Sequence, residues 1–558
     1  MDENKRKKLE DLDRFRRAVP RTSASALSAI IREAKQNGLP ELDSRADIRE
    51  ARDLPMEANT EYGPLHQVLD IDATEMLDDG TERHFKMPLS IVNPFAFLLI
   101  AIGTCAAFSN LVERQYEARP CTAARPWHVA LYSDEVTPGD AFSVLMSRKI
   151  QCVYWSFLEF EHLLSHEEAW ITMTAKRSSE VAKIQGGMAL VFGELIKNMF
   201  LREHSLSDVG ILVKTVSGKS LRIFAKLHMF IQDGGAHKIT WHCKGDGGCK
   251  FCLLCRNAVS EASELGDADG DGDFRSSILK RAELDVARPG ELQDACHLVQ
   301  DNYGEDPEAF RVRQIVNGFT YSPYTMLTDP ELVGVVEPCK QFMHDYMHCI
   351  WVNGVWAITF HLILRALRSK RVFDAYARLR AYVDTWNWPR RFKVTSKLSK
   401  LFESAREDSN TKAGKFRSAA GQAMSLAPIV VFLLATWEHI IPTEFDVYVK
   451  LLKLTEMFAN THHGTITPDE LLRVVEDFLA AYALAFGAEW MTPKFHWLLH
   501  FGDHLEQNGM LIACFVHERK HKMVKRYCEG ITNDVVFERS VIHDVATNIA
   551  LRKGLHHV

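Results

Sequence analysis

Apolar residues recur along this chain in two rhythms, and the change between them divides it. His128 to Val136 is a short apolar run with Asp134 near its end. Arg148 to Phe160 is rich in β-branched and aromatic residues, and Ala169 to Ala175 alternates in the same way; all three read as strands. Ile184 to Phe200 places apolar residues at helical spacing, and Leu221 to Ile231 is strand-like again and runs into Asp233. The predicted succession is strand, strand, strand, helix, strand, with one aspartate closing the first strand and another just after the last. From about 330 to 487 the rhythm becomes helical, over 352–369, 371–386, 418–437, 444–460 and 468–487. Pro493 suits a first helical residue, and a final helix runs from Val516 to Cys528.

The flanks read differently. Residues 1–60 are polar and charged; Lys5 to Lys8, followed by Arg14, Arg16 and Arg17, fit a nuclear localisation signal, a phosphate contact or a solvated terminus. The apolar stretch from Ile91 to Phe108 barely reaches spanning length and contains Asn93 and Pro94, so a buried helix is expected rather than a membrane span. Gly266 to Asp273 is acidic and glycine-rich; an EF-hand starting at Asp267 fails, because its twelfth position is Ile278. An exposed loop is expected there.

Composition narrows the function. The chain has 558 residues, 46% hydrophobic and 25% charged, which fits a soluble globular protein. A net charge of −6 excludes a uniformly basic nucleic-acid binder, so any DNA surface must be a local patch. The stretch from Arg365 to Lys400 supplies one: Arg378, Arg380, Arg390, Arg391 and Lys393, with Trp386, Trp388 and Phe392 interleaved. An ordinary solvated helix face would read the same. Of twelve cysteines, Cys105, Cys121, Cys152, Cys296, Cys339, Cys514 and Cys528 stand singly and read as buried thiols. The cluster at 243–255 is a metal candidate.

Phosphodiester chemistry requires two divalent cations close together, held by carboxylates on adjacent elements. Asp134, Asp233 and Glu518 have those placements, with Glu529 and Glu538 as competitors for the last. The second interval, 285 residues, requires a helical insertion between the last strand and the helix carrying Glu518. Cys252 and Cys255 form a CxxC, and His496 and His500 stand at i and i+4 on one helix face; two thiolates and two imidazoles complete a closed tetrahedral zinc shell. The alternatives are a local ion bound with Cys243 and Cys249, or packing without metal.

Several of these residues fall into recognisable motifs. Ile231-Gln-Asp-Gly-Gly-Ala is followed by Trp241, Lys244-Gly245 and Cys252-Leu-Leu-Cys255; Asp345-Tyr-Met-His348 by Asn353-Gly354-Val355; and His517-Glu518-Arg519 by Lys525. In this the chain resembles DDE transposases of the CACTA (En/Spm-type) and Plavaka group over roughly 125–530. It departs from them at Glu135, where glycine is common, and at Leu253, where proline is usual. The CxxC and paired histidines also resemble the layout of the RAG recombinase.

The resemblance implies an α/β, RNase H-like catalytic domain interrupted by a large, mainly α-helical insertion. Its expected division is a polar segment 1–60, a helical region 61–125, a core in two parts at 126–258 and 486–558, and the insertion at 259–485. It implies Asp134, Asp233 and Glu518 as ligands of two catalytic Mg²⁺ or Mn²⁺ ions, Asp345, His348 and Lys525 as supports of the site, and a structural Zn²⁺. The expected activity is cleavage and joining of DNA in the nucleus. The expected partners are element ends, target DNA and further copies of the chain, with no membrane and no organic cofactor. The competing reading is a silent, host-adopted DNA-binding or scaffold protein.

Overall fold

The structure, a computed structural model, describes residues 24–38, 54–138, 148–245, 248–260, 278–388, 398–531 and 536–550. The chain divides into two units, 1–57 and 58–558. In the first, the helix Ala24–Asn37 forms within a stretch whose sequence suggested only a polar segment. Everything that follows concerns the second.

Its centre is a mixed seven-stranded sheet: β1 His66–Met76, β2 Glu82–Val92, β3 Trp127–Val136, β4 Ile150–Phe157, β5 Ile171–Arg177, β6 Ala225–Gln232 and β7 Phe342–His344. The spatial order is β7-β6-β3-β4-β5-β2-β1. β3, β4 and β5 pair antiparallel, whereas β6 lies parallel to β3 and β7 parallel to β6. All residues of β4 and nearly all of β5 are buried, as expected of strands covered on both faces. A helix, α1 (Met188–Phe200), connects the antiparallel set to β6.

Residues 61–125 differ from the expected helical region. The helices Pro94–Thr104 and Ala106–Ala118 are there, but a hairpin, β1 and β2, precedes them and extends the sheet. These strands alternate buried and exposed positions, so they carry charges such as Asp70, Asp72 and Lys86 on the wet face. The apolar stretch 91–108 is the end of β2 and these two helices, bent by 104° at Cys105. The predicted strand at 221–231 is broken at Phe224: Ser220–Ile223 pairs in a small hairpin with Ile211–Lys214, and only the remainder joins the main sheet.

The predicted insertion helices form, as Val355–Ser369, Ala375–Asp384, Ala420–Ala435, Pro442–Asn460 and Pro468–Phe486, but the expected insertion 259–485 also contains β7, which pairs with β6 in the central sheet, so the run of helices begins only after that strand. The chain re-enters the core through α4, Pro493–Trp497, with Pro493 at its first position. α5 (Phe515–Gly530) and α6 (Phe537–Ala550) then pack across the sheet, α5 against β3 and α6 against β5 and β2. Two further helices used below are α2 (Gly234–Trp241) and α3 (Tyr346–Ile350).

Candidate metal centres

Three parallel strand ends set up the first site. Ile231 pairs with Tyr132, so Asp233 and Asp134 stand level, two residues beyond the last pair of their strands. A β-bulge between Leu227 and Met229 creates this register; without it Asp233 would stand level with Glu135. On the other side Gln232 pairs with His344, which brings Asp345 level with Asp233.

Asp134 lies near the end of β3, while Asp233 and Asp345 directly follow β6 and β7, and each is held in a specific way. Asp134 accepts from the Tyr132 hydroxyl at 3.0 Å and from the Glu135 amide at 2.7 Å. Asp233 caps α2, accepting from Ala236 N at 2.6 Å, where the helix N-terminus favours a negative charge. The Asp345 carboxylate is fully buried and caps α3, accepting from Met347 N and His348 N at 3.2 and 3.0 Å. It also accepts from Cys514 N at 3.0 Å and pairs with His348 Nδ1 at 2.5 Å.

Glu518 reaches this edge from α5. The helix is anchored by the neighbouring His517, stacked on Tyr132 at 3.6 Å and set edge-on to Trp170. Lys520 is also buried there: its ammonium donates to the carbonyls of Glu167 and Trp170 and lies 5.4 Å over the Tyr154 ring. Burial pushes that lysine down to about 7. With the helix so fixed, the exposed Glu518 is turned toward Asp134.

The electrostatics register the convergence. Burial, then the charges of Asp233 and Glu518, push the Asp134 carboxyl up to about 7. Burial works against charge on His348, but the hydrogen bond and charge of Asp345, with Asp233 and Asp134 beyond, hold it above its ordinary value. The site therefore sets His348, whose protonated form the buried Asp345 carboxylate favours, in the same pocket as Asp233.

Asp345 thereby ties the end of β7, the turn of α3 and the residue that starts α5. Asp345→Ala would leave buried donors without an acceptor, and a loss of about 2–4 kcal/mol is expected. Urea denaturation measures it; a change under about 1 kcal/mol would mean that α5 is held in place by packing alone.

The second centre lies at the base of the insertion. Cys252, Cys255, His496 and His500 are all buried, and their donor atoms lie within 4.8 Å of one another. His500 Nε2 is 3.4 Å from both Cys252 Sγ and Cys255 Sγ and 3.3 Å from His496 Nε2. Donors bound tetrahedrally to one zinc at its usual bond lengths sit about 3.3–3.8 Å apart, so the group fits the ion. Asp503 Oδ2 lies 4.0 Å from His500 Nδ1 and is itself held by Arg281 Nε at 2.8 Å, a carboxylate placed to orient the ring. Cys243 and Cys249, the alternative ligands, are outside this group. A pocket of about 130 Å³ is lined by residues of both centres, Asp233 and His348 with Cys252 and Cys255, and by Phe251 and Trp497.

The remaining predicted residues fare differently. Lys525 lies a turn beyond His521 on α5, near enough for its charge to act on that ring. Arg378 and Arg380 are exposed on the insertion helix Ala375–Asp384; Arg378 pairs with Asp374 at 2.7 Å and lies 6.0 Å over Trp437. Neither is among the described residues that gather at the carboxylates. Arg390, Arg391 and Lys393 lie outside the described residues, as do Lys5 to Lys8 and the acidic loop 266–273. The sequence reading missed His521, which joins Asp134 and Glu518 in a third cluster; its signal was the i, i+3 spacing from Glu518.

Compared with protein-family models and with curated proteins, the chain has no match.

Proposed function

We propose that this protein is a DDE-type transposase, cutting and joining DNA with Asp134, Asp233 and Glu518 as its catalytic carboxylates. The observation that carries this reading is Asp134 at the carboxyl ends of the parallel strands, level with Asp233 on the neighbouring strand and close to Glu518 from α5, although the three are 99 and 285 residues apart in sequence. Clustered carboxylates repel unless cations neutralise them. The succession of three antiparallel strands, a helix and two strands parallel to the first supports an RNase H-like core, and the helical insertion before α5 agrees with it.

Two divalent ions in such a site would stabilise the attacking and leaving oxygens of an in-line displacement. In cleavage, water attacks the phosphorus and the 3′-oxygen leaves with a proton; in joining, that 3′-hydroxyl attacks a phosphodiester of the target, gives up its proton, and the target's own 3′-oxygen leaves and takes one up. The chain's own residues prepare the site for this. The bulge in β6 levels the two aspartates, Tyr132 fixes the Asp134 carboxylate, and Asp345 holds α5 at its start. His348, whose protonated form Asp345 favours, lines the same pocket as Asp233 and would favour an anionic group bound there.

The test is nicking of supercoiled plasmid in Mg²⁺ or Mn²⁺. Asp134→Asn, Asp233→Asn and Glu518→Gln are each expected to lower the rate at least a thousandfold, on the order of what lost transition-state stabilisation costs at such sites, while DNA binding persists. A wild-type chain that binds DNA but never nicks it would favour the silent, host-adopted protein.

A further inference from the structure

Glu518 and His521 stand one turn apart on the same face of α5, and Asp134 faces both from the end of β3. The donor atoms of these three residues lie within 4.8 Å of one another. His521 is only 4% exposed. Its Nδ1 is 3.7 Å from Asp134 Oδ2, too far for a hydrogen bond, and its Nε2 is buried without a hydrogen-bond partner. The rings around it, Tyr132 and Tyr154 at 6.1 and 5.8 Å, hold the imidazole in place and give it no polar contact. His521 therefore presents Nδ1 toward Asp134 without a hydrogen bond to it, in a group of donors that also includes Glu518.

We propose that His521 is a third protein ligand of the divalent cation held between Asp134 and Glu518, and that it biases this position toward Mn²⁺ over Mg²⁺. The proposal rests on reading Asp134 and Glu518 as metal ligands. Adjacent ligands of an octahedral ion of this size sit about 3 Å apart, so Nδ1 needs to approach Asp134 Oδ2 by less than about 1 Å to share an ion with it. Mg²⁺ binds oxygen and parts reluctantly with water, whereas imidazole is a ligand of the transition metals. A position with two carboxylates and a nitrogen therefore gains more from Mn²⁺ than one built of oxygen alone. Asp233, on the far side of Asp134, adds no nitrogen, so the bias belongs to one of the two ion positions.

The experiment uses the full chain, loaded with zinc and then titrated with Mn²⁺, and reads electron spin-echo modulation from nitrogen bound to the manganese. Wild-type protein is expected to show the coupling of one imidazole. His521→Gln is expected to keep Mn²⁺ but lose the coupling, with its preference for Mn²⁺ over Mg²⁺ reduced about tenfold or more in competition. His348→Gln is expected to keep the coupling. Absence of nitrogen coupling in wild-type protein that binds Mn²⁺ through its carboxylates would overturn the assignment of His521. So would a coupling that survives His521→Gln or vanishes in His348→Gln. Each of these results leaves the carboxylate site standing. Mn²⁺ affinity unchanged by Asp134→Asn together with Glu518→Gln would instead remove the carboxylate reading, and the role of His521 with it.

Discussion

His496→Ala combined with His500→Ala is expected to strip zinc from the purified protein and lower its melting temperature by more than about 10 °C. Structural zinc stabilises small domains by about 10–16 kcal/mol, and even a fraction of that is large against the usual stability of a folded chain. The four donors come from both ends of the insertion, and in the double variant Cys252 and Cys255 would remain buried with nothing to bind. The effect should be local first: α4 and the CxxC turn separate, and Glu518 loses its register with Asp233. Elemental analysis and a thermal melt on the same sample check this. About one zinc per chain is expected in wild-type protein, and Cys252→Ser with Cys255→Ser should match the histidine variant. Zinc retained in both variants would place the ion elsewhere, with Cys243 and Cys249 the first candidates.

A second large effect follows from the carboxylates. In metal-free protein, Asp134 keeps its proton up to about 7, whereas in the unfolded chain it loses it near the ordinary aspartate value of 3.8. Between these values the folded state binds more protons, so stability falls as pH rises from about 4 to about 7 and levels off beyond. The difference corresponds to as much as about 4 kcal/mol. His348, raised by Asp345 and its neighbours, works in the same direction, because its contribution is also lost as pH rises through its folded value. Melting curves in Mg²⁺-free buffer should therefore show a decline toward neutral pH that millimolar Mg²⁺ or Mn²⁺ reverses. Asp134→Asn should flatten most of the decline. An identical slope in that variant would mean that the pH dependence arises outside this site.

Much of this site was legible before any coordinate, because its parts carry strong local signals. β3 to β5 are buried on both faces and so read as continuous apolar and β-branched runs, and the insertion helices have regular 3.6-residue spacing. The CxxC and HxxxH pairs announce a metal through residue type alone. What could not be read depends on pairing. β1 and β2 alternate with charges and carry no motif, and β7 is three residues long, too short for any periodicity. The bulge that levels Asp233 with Asp134 has no signature in the sequence of β6. Asp345 was visible as part of a DxxH motif, but its grip on Cys514, 169 residues later, belongs to the fold. His521 looked like one more polar residue of a basic helix until burial set it apart.

That same long reach from Asp345 to Cys514 has a consequence for how the protein is made. At about 5–20 residues per second, a ribosome needs roughly 10–30 s to pass from one to the other. Throughout that interval the sheet is already synthesised, while the face that α5 and α6 will cover, including the aromatic surface of Tyr132 and Tyr154, has no partner. During that time the apolar face of the nascent sheet stays uncovered, and its aspartates are complete but lack Glu518. A product ended before residue 515 would keep that exposed face and lack Glu518, so incomplete chains are directed toward aggregation or disposal and never acquire the full carboxylate set.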